Sequence, residues 1–465
     1  MKHRITLAVL SFLALPVAAQ EGLTLERPGD GRRVCGLGKA FHAGRRAALM
    51  ERVGEELMVF RGMREVSENF AFRQDKTFWY LTGIESPKAA LVLDGKTGRA
   101  VLFLPERTRG LLMEETWEGE KWDASDEWVS ELTGFDDVRP DGELLDVIEE
   151  LLADRERIGV SLHPPILLGG SYDQAARMLD DQREDPFDGR PGMPEMLARR
   201  LEEKLDVETF DVAPAIVELR RVKTPEEIAA MRRAASAGAV AMAEAIRSSR
   251  PGLGEWDLDA LMRFVHIRQG AAGSAYNAIV GAGENACILH YTANSERIED
   301  GEVVLIDFGP EVDHYVTDIT RSWPANGSFT DRQAELYEAV LAAQKAGIAA
   351  VKPGVTIWDV DAACRKVLRE AGFEKLVRHS ACHYIGMEVH DPGNTRAPLE
   401  PGVAFTVEPG LYDDEAGIGI RIEDVVVVTE DGCEVLSSLV PKEREEIEAL
   451  VREEGVLDRT DGKSD

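Results

Sequence analysis

Asp307 and Asp318 stand in runs that otherwise read as buried strands, Glu302-Val303-Val304-Leu305-Ile306-Asp307-Phe308-Gly309 and Tyr315-Val316-Thr317-Asp318-Ile319-Thr320. A two-residue turn at Val312-Asp313 would set the two aspartates directly opposite each other. Opposed Cβ atoms lie roughly 4.5–5.5 Å apart, so like charges there repel. The pattern recurs downstream, where Phe405-Thr406-Val407-Glu408-Pro409-Gly410 and Ile418-Gly419-Ile420-Arg421-Ile422-Glu423-Asp424 place Glu408 and Glu423 on adjacent apolar strands. One acidic residue at a strand end is commonly just solvated, but four embedded in apolar runs need protons or cations to hold them together. Two divalent ions would cancel the four charges.

Histidine completes the set. Four of the nine histidines fall in two short stretches, His290 in Leu289-His290-Tyr291 and His379, His383 and His390 between Arg378 and Asp391. A lone histidine is usually structural, whereas this concentration favours a site. Oxygen-rich coordination with one imidazole suits manganese better than a thiolate-loving metal. The five cysteines, Cys35, Cys287, Cys364, Cys382 and Cys433, match no zinc spacing and read as buried free thiols. Arg421 precedes Glu423 by two residues, so both share a strand face; its guanidinium either orients the carboxylates or forms a plain structural ion pair.

Together these residues resemble the five metal ligands of the pita-bread metallopeptidases, family M24: Asp307 and Asp318 at their spacing, His383, Glu408 before Pro409-Gly410, and Glu423 in Arg421-Ile422-Glu423-Asp424. The segments Tyr276-Asn277-Ala278-Ile279-Val280-Gly281, Gly283-Glu284-Asn285 and Phe72-Arg73-Gln74-Asp75-Lys76-Thr77-Phe78-Trp79-Tyr80-Leu81-Thr82-Gly83 are similar to the aminopeptidase P branch, and the likeness runs from about residue 45 to 451. The resemblance implies a supporting N-terminal domain followed by a pita-bread catalytic domain of the creatinase/aminopeptidase type. It further implies that Asp307 chelates one divalent ion, that His383 and Glu408 bind a second, and that Asp318 and Glu423 bridge both. Glu408 then shuttles protons, His390 supports the tetrahedral intermediate, and His290 contacts the substrate near the scissile bond. Tyr276, His379 and Arg421 line the proline side of the cleft; for Tyr276 and His379 ordinary packing is the alternative. The implied activity is hydrolysis of the Xaa-Pro bond at the N-terminus of peptides by a homo-oligomer. The alternatives are an Xaa-Pro dipeptidase and a non-catalytic pita-bread peptide-binding module; the latter would not be expected to carry all five ligands.

The elements that must position these groups fall into an α/β (α+β) architecture, and 465 residues make two domains the natural expectation. Residues 20–214 carry short β-rich runs, among them Ala90-Leu91-Val92-Leu93 and Ala100-Val101-Leu102-Phe103-Leu104 around a five-residue turn sequence, a hairpin pattern. The polar stretch Asp180 to Met193 reads as a long surface loop, and nothing in this half gathers ligating residues. After a boundary at Pro214 to Lys223, Thr224-Pro225-Glu226-Glu227 starts a helix with an N-cap, a first-turn proline and a capping-box glutamate. Ile228, Met231, Ala235, Ala239, Met242 and Ile246 follow at helical spacing, a core-facing stripe. This second domain spans 215–453, and the polar residues 454–465 read as a disordered tail.

The first residues differ from all of this. Lys2, His3 and Arg4 precede an apolar run from Ile5 to Val17, with Ala18 and Ala19 behind it, the pattern of a signal peptide over 1–19 and of an exported, periplasmic or secreted protein. The run is short of the ~20 residues that a bilayer span needs, which speaks against a stable membrane anchor. With 54 basic residues against 85 acidic ones, the net charge of −31 repels phosphate backbones, so nucleic acid is excluded as a partner.

Overall fold

The computed structural model of the chain describes residues 35–64, 72–105, 123–125, 127–153, 155–166 and 171–461. The expected signal peptide, 1–19, lies outside the described residues.

The first half contains α1 (Lys39–Val53), β1 (Leu57–Arg61), α2 (Lys76–Thr82), β2 (Ala90–Asp94), β3 (Arg99–Leu104), α3 (Glu127–Thr133), β4 (Asp137–Pro140), α4 (Leu144–Leu152), β5 (Arg157–Val160), α5 (Tyr172–Glu184), α6 (Met193–Leu205), β6 (Glu208–Asp211) and α7 (Ala213–Arg221). Six strands make one mixed sheet in the order β4-β3-β2-β1-β5-β6. Alternation along β1 sends Leu57 and Val59 to one face, with Ile148 and Leu201, and Met58 and Phe60 to the other, with Phe41 and Phe78. The hairpin expected around residues 94–99 is present, with Asp94 opposite Arg99 and the Asp94 carboxylate accepting from Thr97 Oγ1 at 2.6 Å. The loop expected over Asp180 to Met193 is shorter: α5 continues to Glu184 and α6 starts at Met193. The connection is pulled in by Arg183, which bonds Glu195 at 2.6 Å across it and Asp180 at 2.5 Å within its own helix.

The second half opens with α8 (Pro225–Ser248) and α9 (Glu255–Arg268), then β7 (Gly273–Ser274), β8 (Ile279–Ala282), β9 (Val303–Phe308), β10 (Pro310–Val312), β11 (Tyr315–Val316) and β12 (Ile319–Pro324). It continues through α10 (Asp331–Ala350), α11 (Ile357–Glu370), β13 (Ala404–Val407), β14 (Gly410–Asp413), β15 (Ile418–Arg421), β16 (Asp424–Val428), β17 (Cys433–Val435), α12 (Arg444–Val451) and α13 (Val456–Asp461). The capping box of α8 forms as expected: Thr224 Oγ1 accepts from the Glu227 N–H at 3.4 Å, and Glu227 Oε2 accepts from the Thr224 N–H at 2.8 Å. Gly238, midway along α8, lets the helix lie close on the Asp318 hairpin, because a Cβ there would stand 3.0 Å from Thr317 Cγ2 and 3.1 Å from Ile319 Cδ1.

The hairpin register corrects the sequence expectation. Val312 pairs with Tyr315 and Asp307 with Thr320, so the turn is Asp313-His314 and Asp307 does not oppose Asp318. Both turn residues have positive φ, 49° and 62°, the requirement of a type I′ turn. The shift amounts to two residues, a full pleat repeat, so Asp318 remains on the face that carries Asp307. Gly309 sits where the ladder breaks; a Cβ there would lie 1.7 Å from the Thr317 carbonyl oxygen.

The two halves share a core. One buried apolar cluster contains Phe78, Trp79 and Leu102 together with Tyr315, Ile385 and Met387. The boundary drawn at residue 214 falls in the first turn of α7. The expected disorder of the tail is corrected over residues 456–461, which form α13: the Val456 N–H donates to Glu244 at 2.6 Å, Arg250 pairs with Asp458, and Leu457 packs on the main core; residues 462–465 lie outside the described residues. All five cysteines are unpaired, four of them buried.

Candidate active site

The four carboxylates arrive on two pairs of strands that are hydrogen-bonded to each other. Asp307 is the penultimate residue of β9 and Asp318 precedes β12, while Glu408 follows β13 and Glu423 links β15 to β16. Val407 pairs with Asp424 and Gly410 with Arg421, a single register on both sides of the break, so Glu408 stands opposite Glu423. The two strand pairs are laced together by the Glu423 N–H to the Thr320 carbonyl at 3.1 Å and by the Arg421 N–H to Ser322 Oγ at 3.1 Å.

Ligand atoms of Asp318, His383 and Glu423 all lie within 4.8 Å of one another. His383 Nε2 is 3.2 Å from Glu408 Oε1 and 3.7 Å from Asp318 Oδ2. The Tyr276 hydroxyl is shared between Asp307, at 2.5 Å, and Asp318. Arg421 donates from Nη2 to Asp307 at 2.7 Å and from Nε to Thr320 Oγ1 at 3.1 Å, and that hydroxyl donates to Glu423 Oε2 at 2.6 Å. Arg421 thus reaches Asp307 directly and Glu423 through Thr320. His379 Nε2 meets the Tyr412 hydroxyl at 2.7 Å, and Arg421 Nη1 donates to the same hydroxyl at 2.7 Å. The His390 ring stacks on His383 with centroids 4.0 Å apart and planes 11° from parallel. His290 stays outside this cluster, exposed after β8 and within electrostatic reach of His390.

Electrostatics reports what the cluster lacks. Burial, then the charge of Asp307, holds the Asp318 carboxyl well above the usual range; burial, then Asp318, does the same to Glu423. Burial pushes Glu408 up to about 8. His383 is driven well below its ordinary value by burial and then by His390, so its imidazole is neutral. Nδ1 lies 3.1 Å from the Tyr384 carbonyl, which assigns the ring proton there and leaves the Nε2 lone pair facing the carboxylates. Glu423 Oε1 is buried and has no hydrogen-bond partner among the described residues. An orphaned carboxylate oxygen, three carboxyls that resist ionisation and one neutral imidazole aimed at them fit an oxygen-rich site for divalent cations.

Sequence reasoning missed three polar groups that order the ligands. Thr320 ties Arg421 to Glu423, Tyr412 sits between Arg421 and His379, and Thr406 contacts Glu408 Oε1 at 3.3 Å and the His383 N–H at 3.1 Å. Thr320 and Thr406 each lie two residues from a ligand on the same strand face, so strand periodicity held that signal. Tyr412, on a strand beyond the ligand, gave none.

Residues 229–430 match metallopeptidase family M24, and residues 42–160 match the aminopeptidase P N-terminal domain. The Xaa-Pro aminopeptidase of Escherichia coli (strain K12) is 34% identical over 446 residues, 88% of this chain and 96% of that protein. The chain belongs to family M24. It is a metallo-aminopeptidase, a hydrolase whose family uses divalent metal ions. Human Xaa-Pro dipeptidase is 30% identical over 448 residues, covering 82% of this chain and 84% of that protein. The structure of E. coli aminopeptidase P with the inhibitor Pro-Leu matches with a TM-score of 0.75 at 32% identity, covering 91% of this chain and 99% of that one. Pseudomonas aeruginosa aminopeptidase PepP matches with a TM-score of 0.74 at 33% identity, covering 89% and 98%. The metallopeptidase therefore has the expected fold, a supporting N-terminal domain followed by a pita-bread domain.

Proposed function

We propose that this metallopeptidase is an exported, dinuclear aminopeptidase that cleaves the Xaa-Pro bond at the N-terminus of peptides. The observation that carries the reading is the convergence of Asp307, Asp318, His383, Glu408 and Glu423, with Glu423 Oε1 orphaned and His383 Nε2 free to ligate. Those five residues would hold the two divalent ions, of which manganese suits the donor set. Such ions supply Lewis acidity toward the scissile carbonyl and lower the pKa of bound water.

The protein's own groups do the rest. Glu408, whose Oε1 lies 3.2 Å from His383 Nε2, is placed to pass a proton to the departing proline nitrogen. His390 stands over His383, where it donates to the carbonyl oxygen as negative charge develops. His290, at the exposed margin, meets the substrate near the scissile bond. Tyr276 and Arg421 brace the carboxylates, while the tilted His379 and Tyr412 rings, 5.5 Å apart, present a surface for the pyrrolidine. An Xaa-Pro bond is a tertiary amide without an N–H and with a ring-fixed φ, so a shaped pocket must replace the hydrogen-bond handle of ordinary substrates.

Under manganese, Xaa-Pro-Yaa tripeptides are expected to be cleaved at least tenfold faster than their Xaa-Ala-Yaa analogues, with release of the first residue. Equal rates would defeat the proline specificity. Turnover confined to Xaa-Pro dipeptides would instead favour a dipeptidase, the reading to which the human relative lends weight. Protein recovered from its native host is expected to begin at or near Gln20 and to sediment as a homo-oligomer; an intact Met1 would defeat export, and a monomer would defeat assembly.

A further inference from the structure

Lys76 starts helix α2 in the first domain, yet it is 2% exposed and reaches across to the second. Its Nζ donates to the Met387 carbonyl and lies 3.6 Å from Oε2 of Glu311, a fully buried carboxylate of β10. The other Glu311 oxygen is taken by Arg73. Lys76 therefore ties the hairpin that carries Asp307 and Asp318 to the loop that leads from His383 to His390. That loop is pinned elsewhere too: Arg220 pairs with Glu388 and, at 2.6 Å, with Asp391; Lys223 pairs with Asp391 at 3.0 Å; and the Tyr172 N–H at the start of α5 donates to the His390 carbonyl at 3.3 Å.

Burying an ammonium ion carries a desolvation cost that apolar side chains of similar volume avoid, so such a group is better explained by the geometry it specifies than by stability. A lysine suits this place because its compact head donates in three directions, enough to grip a carbonyl and a carboxylate together. Met387 is three residues before His390, and the His390 ring lies flat on His383. We propose that Lys76 is a positioning residue: by anchoring Met387 it sets the His390 ring against His383, so a first-domain side chain governs turnover in the second domain. This rests on the peptidase reading above.

In the full-length, manganese-loaded protein, Lys76→Met is expected to lower kcat on Xaa-Pro-Yaa peptides by roughly ten- to hundredfold, with KM changed less than about threefold. In a His390→Ala background the same change is expected to cost less than about twofold, because its route is already removed. Equal losses in the two backgrounds would overturn the proposal. Lys76→Met leaves the buried Glu311 charge with Arg73 alone, so Lys76→Met/Glu311→Gln, which removes both charges and leaves Arg73 beside Glu85, is made beside it in case the single variant fails to fold. A crystal structure of either variant reads the geometry without turnover. The proposal requires the His383–His390 stack to open, and an unchanged stack refutes it. An opened stack in a protein whose wild type ignores Xaa-Pro peptides would uphold the positioning role and refute only the peptidase reading.

Discussion

Glu423→Gln is expected to reduce Xaa-Pro turnover by roughly a thousandfold or more at saturating manganese, since loss of several kcal/mol of charge stabilisation in the transition state carries that factor. The substitution is isosteric, and Glu423 is 1% exposed within well-packed strands, so the backbone has no reason to move. What changes is the donor inventory. Glu423 Oε2 is committed to Thr320 at 2.6 Å, and Oε1 is the buried oxygen without a partner among the described residues. An amide puts an N–H₂ group at one of these two places, either toward the cation or toward the Thr320 hydroxyl, and it removes a full negative charge in both cases. Elemental analysis and kcat/KM of the same preparation check this. Activity within tenfold of the wild type would remove Glu423 from the site.

The metal-free protein is expected to lose stability as pH rises from about 5 to 8, and added manganese is expected to raise the melting temperature more at pH 8 than at pH 5. Glu408 ionises at an ordinary value of 4.5 in the unfolded chain, but in the fold it holds its proton up to about 8. Between those pH values folding takes up a proton, so each increment of pH favours the unfolded state; the penalty is complete above about 8. Asp318 and Glu423 are shifted in the same direction, Asp318 by burial and then Asp307, Glu423 by burial and then Asp318, and add to the slope. Bound cations substitute for those protons and stabilise the fold by an amount that grows with the logarithm of their free concentration relative to Kd. Glu423→Gln removes one of the repelling charges, so the metal-free variant should melt above the metal-free wild type at pH 8. A flat stability profile across this range would show that the carboxylates are not gathered as described.

The ligand set was legible because metal sites of this kind combine two signals that a chain reveals locally: carboxylates set inside apolar strand runs, and histidines crowded into short stretches. The hairpin register was not, because what stabilises the turn is tertiary. His314 stacks on Trp79 with centroids 4.1 Å apart and bonds Glu85 at 2.5 Å, both in the first domain. The same cause hid α13, whose contacts are with α8, and the end of α5, which depends on the Arg183–Glu195 ion pair across the following connection. The first domain read as mere support because none of its residues looks like a ligand. Its contribution passes through Lys76 and the Tyr172 amide, ordinary groups whose partners lie more than two hundred residues away.

The Asp313-His314 turn also limits how this hairpin can change length. Side chains alternate faces along each strand, so with the two-residue turn kept, one residue inserted into or deleted from a strand between Asp307 and Asp318 would turn one of the two carboxylates away from the cleft. A change of two would restore the facing and merely lengthen or shorten the ribbon. With the two-residue turn kept, insertions and deletions here are therefore tolerable only in even numbers, whereas a single extra residue must lodge in the turn itself as a three-residue loop.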